Sequence, residues 1–161
     1  MSGTYGNSAD ALGEPDYAGG NGAVSLGIGG ELIVEFEDNS LTTSGDSADD
    51  LYIFEIGGVI EVFNVAISTD ASTWIDLGDV LGQPTGIDID AVAGVVLWEQ
   101  YSFVRLRDIA PNQSGSPFGE ADIDAVAAIS SAPPVSAPEP TTLALLGLGM
   151  LGVGLNRRRR K

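Results

Sequence analysis

Carboxylates are the most abundant side chains here that could do chemistry, and they fall in short clusters. Asp46, Asp49 and Asp50 lie within five residues on a Ser-Gly-Asp-Ser-Ala loop just ahead of an apolar segment. Oxygen ligands gathered on one turn can converge on a single cation, although this spacing is not that of an EF-hand loop. Asp122 and Asp124 are two residues apart in a strand-like stretch, so both are expected on one face. Asp88 and Asp90 repeat that spacing after Gly86. Such oxygen donors suit a hard cation, and calcium is the candidate cofactor. Glu55 differs, because strand alternation puts it on the same face as Leu51 and Ile53. A carboxylate on an apolar face needs a partner. That partner would be Arg105 or Arg107, or a calcium ion, unless Glu55 is solvated after all.

Paired acids can also hydrolyse glycosidic bonds. Here they sit in surface-like runs, with no insertion to form a cleft, so the chain is read as a non-enzyme. Cysteine and histidine are absent. Zinc centres built on those residues, Ser-His-Asp triads and cysteine nucleophiles are therefore excluded. No disulfide can form, so stability must come from the core or from bound ions. Residues 1–132 carry 22 acids against 2 cations. That surface repels nucleic acid and anionic lipid and attracts cations, and it also keeps an exported protein soluble. Among the aromatic residues, Tyr17, beside Pro15 and Asp16 in a Gly-rich loop, is the candidate for touching a sugar. Trp74 and Tyr52 are expected in the core.

The elements that must position these groups are strands. In Glu31–Glu37 the apolar Leu32, Val34 and Phe36 alternate with Glu31, Glu35 and Glu37. Leu51–Ile56, Val59–Ser68, Trp74–Leu77, Phe103–Asp108 and Asp122–Ile129 read as further strands. A turn at Asp70–Thr73 makes a hairpin, and a short strand is expected near Ala23–Leu26. Residues 92–100 are open between a strand and a helical turn. No window shows a convincing amphipathic helix, which points to an all-β sandwich of jelly-roll type over residues 1–129. Residues 130–137 follow as a linker, with Pro133 and Pro134 ending the last strand.

The tail is of another kind. Pro138-Glu139-Pro140 is followed by an apolar, glycine-spaced run over 141–155 and by Arg157, Arg158, Arg159, Arg160 and Lys161. As a helix, that run would span roughly 22 Å, short of the roughly 30 Å of a bilayer interior. The cations should stay cytoplasmic, leaving everything upstream on the far side of the inner membrane. Met1-Ser-Gly-Thr opens with neither a charged nor an apolar leader region, so a secretory signal is expected ahead of Met1.

This tail, residues 138–161, resembles the PEP-CTERM sorting signal of Gram-negative bacteria. The resemblance implies recognition and cleavage by the membrane protease exosortase, transient residence in the inner membrane, and a mature form at the cell surface or outside it. It also suggests an exopolysaccharide as a partner. A second resemblance runs through Ala11–Asp16, Val24–Gly27, Asp50–Glu55, Ser68–Asp70 followed by Trp74, and Ala121–Val126. These segments are similar to discoidin-type, galactose-binding-like jelly rolls. That family implies loops that bind sugars or surfaces, and often one structural calcium. A purely structural surface protein is the alternative.

Overall fold

The computed structural model describes residues 6–18, 22–109 and 121–134. The alternation in the sequence becomes two antiparallel sheets. One has the order β1 (Val24–Ser25), β9 (Asp122–Ala128), β4 (Leu51–Ile56), β7 (Thr85–Ile87). The other runs β2 (Glu31–Glu35), β8 (Phe103–Asp108), β5 (Phe63–Ser68), β6 (Ile75–Val80). A third pairing joins β3 (Ser40–Leu41) to β10 (Ser131–Ala132). A short 3-10 helix, Ser8–Ala11, is capped by the Asn7 side chain, which accepts from the Ala9 N–H.

One core fills the space between the two large sheets. Leu51, Ile53, Ile87 and Ile123 enter it from the first sheet, and Leu32, Val34, Phe63, Val65, Ile67, Val104 and Leu106 from the second. In β2 the apolar positions are buried and the glutamates exposed, as period-2 patterning requires. In β4 the inward set Leu51, Ile53 and Glu55 is buried. The hairpin at 70–73 is tied by Asp70, whose Oδ1 accepts from the N–H groups of Ser72 and Thr73.

The structure departs from the sequence reading at five places. The strand expected from Val59 begins only at Phe63, and Val59 and Ile60 lie exposed. Residues 92–100 are neither strand nor helix. They form successive tight turns, closed by Val92, Val95 and Glu99 N–H groups donating to the carbonyls of Ile89, Val92 and Val96. The expected linker begins later than 130, because Ser131–Ala132 pair with β3 and stop where Pro133 removes the donor. Trp74 and Tyr52 are half-buried, while Phe63 and Tyr101 are aromatic residues fully inside. Finally, the β4–β9 register shifts between Phe54 and Glu55, so Asp124 is an extra residue on β9. This bulge breaks the simple alternation that would put Asp122 and Asp124 on one face. The sorting segment 138–161 and the apolar run 141–155 lie outside the described residues. Among the described residues, no helix is long and apolar enough to cross a membrane.

Candidate cation site

The pairing of β4 with β7 assembles the site. Leu51 lies opposite Ile87, so Asp50 and Asp88, one step before and after, meet at the sheet end. Carboxylate oxygens of Asp50, Asp88 and Asp90 all fall within 4.8 Å of one another. Two clusters that the sequence presented as rivals are thus one, while Asp46 and Asp49 stand apart from it. Asp46 is exposed and closes its own turn, its Oδ1 accepting from the Ala48 N–H and the Ser44 hydroxyl. The Asp49 carboxylate lies across Gly86, where any Cβ would collide with it. Its hydrogen bond also pushes the Tyr52 hydroxyl pKa up.

Asp50 is held from several directions. Its N–H donates to the Ile87 carbonyl (2.9 Å), and its own carbonyl accepts from Ile129 (2.7 Å) and Ser130 (3.1 Å). Its Oδ2 accepts from the Ile89 N–H at 3.0 Å. The residue is 0 % exposed, yet its Oδ1 has no hydrogen-bond partner. Asp90 repeats the arrangement. Its Oδ2 takes the Ser44 N–H (3.1 Å), the Ser44 hydroxyl (3.0 Å) and the Gly45 N–H (3.1 Å), while its buried Oδ1 takes none. Asp88 Oδ1 accepts from the Asp90 N–H at 2.9 Å. Each acid thus spends one oxygen on fixing the loops, and two of the three keep a second, desolvated oxygen. Buried anionic oxygens without donors are costly. A hard cation among them would satisfy the set, and oxygen-only donors fit calcium.

The loop over this site carries an exposed ring. Trp98 is 65 % exposed and has φ +66°, in the left-handed region that side chains other than glycine rarely adopt. Its N–H donates to Thr43 Oγ1 at 2.9 Å. The ring lies on Gly45, where an added Cβ would come within 2.9 Å of its Cη2. Sequence reasoning favoured Tyr17 as the sugar-contacting aromatic. Tyr17 is 40 % exposed, with its N–H and that of Asp16 donating to Asp124 Oδ1, both at 3.2 Å. Asp124 is therefore a cap that pins the amino-terminal loop.

Glu55 is buried as alternation requires, but neither arginine is its partner. Arg107 bonds Glu31 at 2.8 Å on the outer face of the other sheet. Arg105 lies 3.8 Å from the same carboxylate and stacks 4.7 Å over the Trp74 ring. Burial pushes the Glu55 pKa up to about 7, and nearby Glu61 and Asp122 add to the rise. Asp122 is likewise raised by burial, with a buried, unpartnered Oδ1.

An all-β sandwich with acidic loops at a sheet end is thus joined to a tail of different character. Residues 136–160 match the PEP-CTERM protein-sorting motif. The match supports an exosortase-sorted surface protein: exported, with a membrane-anchored precursor that this membrane protease processes. No curated protein and no solved structure matches the chain.

Proposed function

We propose that the sandwich is a non-catalytic surface module of a Gram-negative cell, released by exosortase and stiffened by calcium bound among Asp50, Asp88 and Asp90. The observation carrying the calcium reading is the pair of desolvated, unpartnered oxygens on Asp50 and Asp90, held within reach of Asp88 by loops that those same side chains fix. On this reading the fold is a galactose-binding-like jelly roll. Chain crossings from β4 to β5 and from β8 to β9, which link the central strands of opposite sheets, support it. A polysaccharide partner is favoured by Trp98, whose exposed face can stack on a sugar ring beside the ion-bound loop.

The test is thermal unfolding of the full chain in detergent, in a chelator and again in millimolar calcium. Binding to the folded state alone at about a hundredfold excess over Kd stabilises by about 2.7 kcal/mol, a shift on the order of 10 °C. Asp50→Asn keeps the oxygen that accepts from Ile89 but removes the charge, and it should abolish that shift. An equal shift in wild type and variant would remove calcium from this site. Retention of the protein on matrix polysaccharide, lost with Trp98→Ala, would separate a binding module from a purely structural one. For sorting, Glu139→Ala should leave the precursor uncleaved in membranes.

A further inference from the structure

The acids of the cation site also hold the two loops that build the Trp98 platform. Asp90 spends its Oδ2 on the Ser44 N–H (3.1 Å), the Ser44 hydroxyl (3.0 Å) and the Gly45 N–H (3.1 Å). Gly45 is the floor under the indole, where an added Cβ would come within 2.9 Å of Cη2 and 3.2 Å of Cζ2. Thr43, in the same loop, accepts the Trp98 backbone N–H on its Oγ1 at 2.9 Å. Asp50 anchors the second loop, the one that carries the ring. Its Oδ2 accepts the Ile89 N–H at 3.0 Å, and the Ile89 carbonyl in turn accepts the Val92 N–H at 3.2 Å. The Val95 N–H then donates to the Val92 carbonyl at 3.2 Å, bringing the relay of turns to the exposed run Val96, Leu97 and Trp98. Trp98 itself has φ +66°, a conformation that a residue other than glycine keeps only where its surroundings impose it.

We propose that calcium switches this platform: bound, the ion locks the 43–45 loop beneath the ring and the turns behind it, and removed, it sets the indole free. The inference rests on the calcium reading above. Asp50 Oδ1 and Asp90 Oδ1 are buried without donors, and carboxylate oxygens of Asp50, Asp88 and Asp90 lie within 4.8 Å of one another. A divalent ion between them leaves the opposite oxygens as fixed acceptors for Ile89, Ser44 and Gly45. Without the ion, like charges this close repel, and a carboxylate that swings toward water withdraws its acceptor from the loop. Among the described residues, the cations Arg105 and Arg107 lie at Glu31 on the other sheet and offset none of this charge. Retention on polysaccharide would then depend on calcium although the sugar need not touch the ion, with Ser44 and Gly45 as the positioning residues in between.

The experiment follows Trp98 in the full chain in detergent, carrying Trp74→Phe so that one indole remains, as calcium is added back after a chelator. Acrylamide quenching of Trp98 should fall and its emission should move to shorter wavelength, over the same calcium range in which Tm rises. Asp50→Asn lies outside the 43–45 loop and should abolish both responses. A rise in Tm with Trp98 unchanged would overturn the coupling and leave the calcium site standing. No rise in Tm and no Trp98 response would overturn both. A Trp98 response that survives Asp50→Asn would place the acting ion elsewhere and would also sink the coupling. Hydrogen exchange on wild type needs no substitution and guards against a variant that misfolds. Calcium should slow exchange about tenfold or more at residues 43–45 and 96–98, and unchanged exchange there overturns the proposal.

Discussion

At the scale of single residues, what decides this protein is which oxygens lack donors. Glu55 gives the clearest solution signature. Its carboxyl, at 4.5 when unperturbed, is raised by burial to about 7 in the folded chain. Between those values the native state keeps a proton that the unfolded chain has lost. In chelator, stability is therefore full near pH 4.5 and falls as pH rises to about 7, and Asp122, also raised, adds to the fall. Glu55→Gln should flatten most of that slope in a Tm-against-pH series. Asp70 works in the opposite sense. The Thr73 and Ser72 N–H groups hold its pKa well below the usual carboxylate range. Its contribution is present above pH 3.8 and is lost on further acidification, so the two effects separate in one titration.

Alternation in β4 was enough to foresee that Glu55 is buried. What satisfies it was not legible, because both arginines turn outward to Glu31 and Trp74. The same limit applies to Asp50, whose partners Asp88 and Asp90 arrive through a pairing of strands more than thirty residues apart in the chain. Spacing within a loop reports only local neighbours, so it grouped Asp50 with Asp46 and Asp49. Asp124 was misplaced for a related reason, since a bulge leaves no mark in a pattern of period two.

At the scale of elements, long strands were readable, and of the short ones only β1, inside the expected 23–26, was. β4 and β8 carry the limits that their sequence suggests, because β4 is rich in β-branched and aromatic residues and in β8 Arg105 and Arg107 alternate with Val104 and Leu106. β3, β7 and β10 have two or three residues each, too few for a period to show. The 92–100 turns are set by such details as Tyr101, whose hydroxyl accepts from the Val96 N–H at 2.9 Å. These turns and the 43–45 loop depend on each other at Gly45, which has φ +84° and lies beneath the Trp98 ring. Gly45→Ala should cost about 1–2 kcal/mol for the left-handed backbone alone. It should also lift the indole, seen as a shift in tryptophan emission and weaker polysaccharide retention.

At the scale of the whole molecule, charge dominates. The chain carries a formal −16, and the excess of acids upstream of the tail is larger still. In chelator, the folded domain should gain stability as salt rises. Screening contracts from about 30 Å at 0.01 M to about 10 Å at 0.1 M, which relieves self-repulsion. With calcium bound the dependence should be shallower, because ions already offset the densest clusters. A Tm series in sodium chloride, with and without calcium, checks this. A chelated protein indifferent to salt would show that its acids are too dispersed to repel.

The joint between sandwich and tail has a mechanical consequence. While the precursor is anchored, drag on the domain enters the described chain at Pro133. Behind the Gln100 Nε2 bond to the Pro133 carbonyl, the first strand pairing to bear the load is that of Ser131 with Leu41 and Ala132 with Ser40. Behind it come Ile129 and Ser130, whose N–H groups both grip the carbonyl of Asp50. The line of tension therefore runs from the tail through a short peelable clasp into the acidic loop, and only then into the packed sheets. A tug on the anchor would loosen the Asp50 loop before it strained the core, so the proposed seat of the ion would act as the fuse of the tether.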